Sequence, residues 1–245
     1  MRVDLAGEPP HGFLSEALVE RLLSIVEGDI YASAIVVENS GGTFCMGLDP
    51  SFLIADADAP PAGQRARAAL ERFDRLLQAV ERAACPVIAL VDGPAAGGGV
   101  ALAAAADVVI ATSRATFALP ETLLGIVPAV AFPVLARRIG ATRARWMAIS
   151  GVTIDASEAM RWGIVDMLAD DPEAALARYL RRLARLDARS IAAVKKLTTL
   201  HRNEHGAYES AAVRTFGELV ESPETQARLR RFAQGLAPWP EDERA

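Results

Sequence analysis

Three consecutive glycines, Gly97–Gly99, sit between the apolar run "PVIALVDG" and the alanine-rich run "VALAAAAD". A glycine turn that leads a strand into a helix presents backbone N–H groups to an anion. Nothing charged or polar follows until Asp107, so the cradle would consist of dipoles alone. The spacing is not that of a dinucleotide fingerprint, and no Gly-Lys-Ser/Thr follows to make a phosphate loop. Two readings of the glycines remain. They can form one half of an oxyanion hole, with an N–H aimed at a developing negative charge, or they can permit close packing of a helix on a sheet. Two further stretches carry possible chemistry. "GGTFCMGLD", residues 41–49, places Gly47 in a turn directly after an apolar run. "TFALPETLLGIVPAVAFPVLARRIG", residues 116–140, places Glu121 among Leu119, Pro120, Leu123 and Leu124. A carboxylate in such company invites burial, a raised pKa and general acid/base use; it also fits an ordinary helix-start glutamate after a proline.

These residues need elements to hold them. Residues 15–27 have helical apolar spacing, with Ser15 as N-cap. "SAIVVE", 33–38, reads as a short buried strand, and residues 64–83 as an amphipathic, arginine-rich helix that stops before Pro86. "PVIALV" and "ADVVIAT" read as strands flanking a helix over 97–106, a strand–helix–strand unit that predicts an α/β core with parallel strands. From Pro128 onward strands almost vanish. One helix ends at Gly140 as C-cap, and others are predicted at 141–150, 156–162, 172–186, 188–202 and 206–236, the last broken near Ser222-Pro223.

Composition bounds the function class. Hydrophobic residues make up 51% and charged residues 23% of the 245, enough for a buried core and against disorder. A net charge of −5 without a basic cluster argues against nucleic acid or a membrane surface as partner. The N-terminal stretch lacks an export signal pattern, and no apolar run is long enough to span a bilayer, so a cytoplasmic location is expected. Cys45 and Cys85 stand 40 apart without a nearby histidine, which predicts neither a disulfide nor a metal site. Only Lys195 and Lys196 are lysines, which confines lysine chemistry to two positions.

Taken together and in this order, the three segments resemble the crotonase superfamily, the enoyl-CoA hydratases and isomerases. The segment "TIDASEAMRWGIVDMLAD", residues 153–170, extends the resemblance. The resemblance implies an α/β fold, a spiral of ββα units over residues 1–190, followed by a C-terminal helical trimerisation region over 191–245, and a homotrimer or hexamer. It implies an acyl thioester on a pantetheine arm, of CoA or an acyl carrier protein, with no metal, nucleotide or redox cofactor. By motif, the oxyanion donors fall on the backbone N–H groups of Leu48 and Gly98. A thioester oxygen is neutral until it becomes an enolate, so such a cradle needs no fixed charge.

The departures narrow the activity. Hydratases of the superfamily carry two glutamates; the first falls here on Ala101 and the second is Glu121. A single carboxylate can still take the proton α to the thioester and return it either to a leaving hydroxyl or to the γ-carbon. The "PETLLGIVPAVAFPVLARRIG" and "FCMGLD" segments and the C-terminal "PWPED" are similar to the dehydratases of polyketide β-branching cassettes. That narrower resemblance implies dehydration of 3-hydroxy-3-methylglutaryl on an acyl carrier protein to 3-methylglutaconyl. A Δ3,Δ2-enoyl-CoA isomerase and a non-catalytic thioester-binding subunit are the alternatives. A distal carboxylate on the substrate would need a partner, for which Arg65, Arg67, His201 and the two lysines are candidates, each also suited to a solvated face. Asp49 could bind a β-hydroxyl or cap the following turn. His11 and His205 are expected at the surface, Cys45 to pack as a small apolar residue, and Trp146 and Trp162 to serve in core or interface.

Overall fold

The computed structural model describes residues 1–6, 12–28, 32–56, 59–200 and 206–238. The strands are β1 (Arg2–Asp4), β2 (Ile35–Glu38), β3 (Val87–Val91), β4 (Pro94–Ala96), β5 (Val108–Ala111), β6 (Thr116–Ala118), β7 (Thr153–Asp155) and β8 (Met167–Leu168). The helices are α1 (Glu16–Glu27), α2 (Ala62–Arg82), α3 (Gly98–Ala105), α4 (Ala131–Ile139), α5 (Ala141–Ser150), α6 (Ala156–Trp162), α7 (Pro172–Leu183), α8 (Ala188–Leu200), α9 (Gly206–Val220) and α10 (Pro223–Ala233). Short 3-10 turns cover Pro50–Leu53 and Glu121–Leu124.

Strands β1-β2-β3-β5-β8 form one sheet, parallel at every pairing. Alternation along its strands explains why they read as unbroken apolar runs. Val36, Ile88, Leu90 and Ile110 meet Ala175, Leu176 and Leu183 of α7 on one face. Ile35, Val37, Val87, Ala89, Val91 and Val109 enter the main core on the other, with α1, α2 and α3. A parallel sheet covered on both faces has no polar side to show. The predicted strand–helix–strand unit is present, with Ile88 opposite Val108 and α3 lying between β3 and β5 in the chain.

Sequence patterning missed the small second sheet, β4-β6-β7, because its strands are three residues each and give no period to read. It matters most for the site, since β4 runs into the three glycines and β6 into Pro120-Glu121.

Local chemistry sets the element ends. Ser15 caps α1, its Oγ accepting from the Leu18 N–H at 3.2 Å. Asp155, Asp171 and Ser222 do the same for α6, α7 and α10, the last two followed by proline at the first helical position. The expected break at Ser222-Pro223 thus separates α9 from α10. Both helices turn back onto their own chain. Gly63 of α2 and Gly217 of α9 let those two helices cross closely, a Cβ on Gly63 falling 2.8 Å from the Gly217 carbonyl oxygen. Trp146 and Trp162 form an edge-to-face pair, centroids 5.3 Å apart, with Trp146 49% exposed rather than in the core. Among the described residues no helix is long and apolar enough to cross a membrane, and no cluster of metal-ligating side chains occurs.

Candidate active site

Three segments lie side by side. Cys45 makes an isolated parallel bridge to Ala95 of β4, its N–H donating to Pro94 O at 3.2 Å and its carbonyl accepting from Ala96 N–H at 2.8 Å. The next step is across the small sheet, where Gly97 N–H donates to Ala118 O of β6 at 3.0 Å. Backbone hydrogen bonds therefore place 45–48, 94–98 and 116–121 in register, independent of the side chains.

Each glycine of the triplet has a different task. Gly99 is a packing glycine, since a Cβ there would sit 1.9 Å from the Cys45 carbonyl oxygen. Gly97 is conformational, with φ +52, and its missing Cβ leaves room 3.0 Å from Glu121 Oε1. Gly98 opens α3, where a first-turn N–H has no intrahelical acceptor. The packing reading of the triplet thus holds at Gly99, and Gly98 keeps an N–H free of the helix's own carbonyls.

The facing turn is built by Gly47, at φ +93. Gly47 O accepts from Leu14 N–H at 2.7 Å and Asp49 N–H donates to Leu14 O at 3.2 Å. In such a parallel bridge the intervening residue points its own N–H the other way, so the Leu48 N–H is turned from Leu14. A Cβ on Gly47 would lie 3.0 Å from Gly98 N, which brings the two turns into contact. Cys45 supports the turn from behind. Its Sγ accepts from the Gly47 N–H at 3.4 Å, and burial pushes its thiol up to about 12, so it packs as an inert apolar group.

Glu121 begins the short turn after Pro120, and Ile126 N–H closes that turn on Glu121 O at 3.0 Å. Its Oε2 is buried without a hydrogen-bond partner. Burial raises its pKa from 4.5 to about 7, against a smaller lowering by its own backbone N–H. Gly47, Leu48, Gly97, Gly98 and Glu121 all line one cavity of about 280 Å³. Its walls are otherwise apolar, with Phe13, Leu53, Phe73, Phe216 and Phe232 among them; Glu121 is the only ionisable side chain among the described lining residues.

A buried carboxylate beside two glycine-built turns has the chemistry to exchange a proton with a bound group. The sequence profile described as enoyl-CoA hydratase/isomerase matches residues 13–241. The chain belongs to the enoyl-CoA hydratase/isomerase family. The bacillaene synthase dehydratase PksH of Bacillus subtilis is 26% identical over 229 residues, covering 92% of this chain and 87% of PksH. A solved PksH structure shares the fold, with TM-score 0.81 at 24% identity, covering 94% of this chain and 90% of the other. An enoyl-CoA hydratase/isomerase from Marinobacter aquaeolei is 32% identical, with TM-score 0.69, and covers 92% of this chain and 89% of its own. The family's chemistry is that of hydro-lyases acting on CoA thioesters.

The other residues singled out from the sequence fall elsewhere. Asp49 caps the following turn, its Oδ1 accepting from Ser51 N–H at 2.8 Å, and does not line the cavity. Arg65 is committed to the backbone, donating to Ile54 O at 2.5 Å and Pro60 O at 3.1 Å. Arg67 lines a neighbouring hollow with Glu71 and Asp74, which shares Ala129 and Val130 with the cavity. Lys195 corrects the expectation of a free lysine: it is buried, donating to Asp107, to Val80 O at 3.3 Å and to Cys85 O at 3.2 Å. Lys196 is exposed. His11, His201 and His205 lie outside the described residues. Ala101 is fully buried in α3 and is not a lining residue. Sequence reasoning missed Phe216 and Phe232, which reach the cavity from α9 and α10; a helical apolar stripe does not say which cavity it will close.

Proposed function

We propose that the chain is a dehydratase of 3-hydroxyacyl thioesters that works with one carboxylate. The observation that carries this reading is Glu121 itself: Oε1 beside Gly97, Oε2 buried and unpartnered, and no second acid in the cavity among the described residues. The thioester oxygen accepts from the Leu48 and Gly98 N–H groups. Glu121, ionised, removes the proton α to the carbonyl, and the electron pair moves onto the oxygen as the enolate. Each donor is worth about 3–4 kcal/mol of barrier. The enolate re-forms the carbonyl, the α,β double bond forms, and the 3-hydroxyl leaves as water with the proton that Glu121 holds. The carboxylate is regenerated, so no cofactor is consumed.

The finer substrate is 3-hydroxy-3-methylglutaryl on an acyl carrier protein, giving 3-methylglutaconyl. Similarity to PksH over nine-tenths of the chain supports it. The cation proposed for the substrate's distal carboxylate is the exposed Arg67, in a hollow that adjoins the cavity through Ala129 and Val130 and also holds Glu71 and Asp74. A homotrimer is part of the same reading, supported by Trp146 and Ile149 of α5, 49% and 72% exposed; light scattering should return the mass of a trimer.

The test loads an acyl carrier protein with 3-hydroxy-3-methylglutaryl-pantetheine and follows intact mass. Loss of one water with the native protein, absent with Glu121→Gln, supports the reading. Turnover by Glu121→Gln at the native rate would overturn it. No mass change, with a CoA-ester double bond shifting in absorbance, would assign the isomerase instead. Arg67→Ala should raise KM for this substrate while leaving a 3-hydroxybutyryl thioester unaffected; equal effects on both would remove Arg67 from substrate binding.

A further inference from the structure

The donor turn and Glu121 are tied through the small sheet. They are tied a second time by two consecutive polar residues of α10. Thr225 and Gln226 are 3% and 5% exposed, two of the few buried polar residues among those described. Gln226 Nε2 donates to Leu53 O at 2.6 Å and to Val220 O at 2.7 Å, and its Oε1 accepts from Ala55 N–H at 2.5 Å. Every strong hydrogen-bonding position of the amide but one is thereby used. The segment it grips, 53–55, is joined to the Leu48 turn by Asp49 and the 3-10 turn Pro50–Leu53, and Leu53 is a wall of the cavity. Thr225 Oγ1 donates to Gly125 O at 3.1 Å, at the end of the turn that begins with Glu121. A Cβ on Gly125 would lie 2.6 Å from that hydroxyl, so the contact is close. Phe232, two turns on, lines the same cavity.

From this we infer that Thr225 and Gln226 are positioning residues for the reaction, a brace through which α10 fixes the separation of the donor loop and the acid/base loop. The inference rests on the dehydratase reading for its catalytic consequence, but the brace itself is a property of the fold. A packing helix would need apolar residues at these positions. Burying a carboxamide and a hydroxyl instead is costly unless each is satisfied, and here Leu53, Ala55 and Gly125 of the two loops satisfy them, with Val220 O at the end of α9 as one further acceptor. An error of about 1 Å in the reacting geometry costs on the order of 100-fold in rate.

The experiment measures steady-state dehydration and amide hydrogen exchange for Gln226→Leu, Thr225→Val and Thr225→Ser. Gln226→Leu should lower kcat by about 10- to 100-fold with little change in KM. Thr225→Val, the milder change, should lower kcat by about 3- to 10-fold on the same argument, and Thr225→Ser, which keeps the hydroxyl, should restore it. Exchange should accelerate together in residues 49–55 and 121–126 in the Leu and Val variants. Native kcat in Thr225→Val, or acceleration confined to α10, would overturn the brace; Thr225→Val serves alone if Gln226→Leu does not fold. If the native protein proves not to dehydrate its substrate while both loops loosen together, the brace stands and the dehydratase reading falls.

Discussion

Glu121 carries its charge where water is scarce, and its behaviour with pH follows. Folding lifts its pKa from 4.5 to about 7. A carboxyl with a raised folded pKa contributes stability that is full below the unfolded value and lost as pH rises through the folded one. The shift corresponds to about 3 kcal/mol. Urea unfolding of the native protein should therefore show stability falling from pH 4.5 to pH 8, relative to Glu121→Gln, by about that amount. In the proposed reaction the same carboxyl must be ionised to take the α proton, so kcat/KM should climb through pH 7 and level off above it. Glu121→Gln should lose about 10²- to 10⁴-fold in kcat while remaining folded. Stability and activity thus run in opposite directions with pH, and both trace to one buried oxygen.

Among the elements, the glycines separate conformational from packing roles, and substitution should separate them too. Gly47→Ala puts a side chain at φ +93 and a Cβ 3.0 Å from Gly98 N, between the two proposed donors. Backbone strain of about 1–2 kcal/mol is expected, with a larger loss in kcat, about 10²- to 10³-fold, as one donor is displaced. Gly99→Ala has ordinary backbone angles to accommodate but a Cβ 1.9 Å from Cys45 O. It must push α3 from the segment that carries the donor turn, so a fall in Tm should dominate, with a cost of about 1–3 kcal/mol. Thermal melts beside kcat for the two variants check this contrast.

At the scale of the whole molecule, α8 is fastened by one buried cation. Lys195 reaches from α8 to the end of α2, to Cys85 before β3 and to Asp107 before β5, while Asp107 also accepts from Val87 N–H at 2.7 Å. The helical rear is thereby pinned to the strand starts, at the end of the sheet to which α3 returns. Lys195→Met leaves Asp107 and two carbonyls without that donor. Asp107 keeps 31% side-chain exposure, which moderates the loss to about 2–3 kcal/mol. Chemical denaturation should register it, with kcat/KM unchanged.

Period and punctuation made much of this legible in the chain. The long helices, the parallel core strands and the helix ends at Gly140 and Ser222-Pro223 follow from apolar spacing and cap chemistry, which are local, and the structure places them within a few residues of those expectations. Glu121 and the glycine turns stood out because a carboxylate among leucines and glycines after a strand are unusual locally. What local signals could not supply was adjacency. Three-residue strands carry no readable period, yet β4 and β6 set the Gly47-Leu48 turn, the glycines and Glu121 side by side. Nor does an arginine or lysine announce its partner, so Arg65 and Lys195 read as free cations until the backbone carbonyls and Asp107 came within reach. Residue types and their order along the chain determined which groups could do chemistry here. Tertiary structure decided which of them meet, because burial, hydrogen-bond partners and a shifted pKa belong to neighbours far apart in sequence.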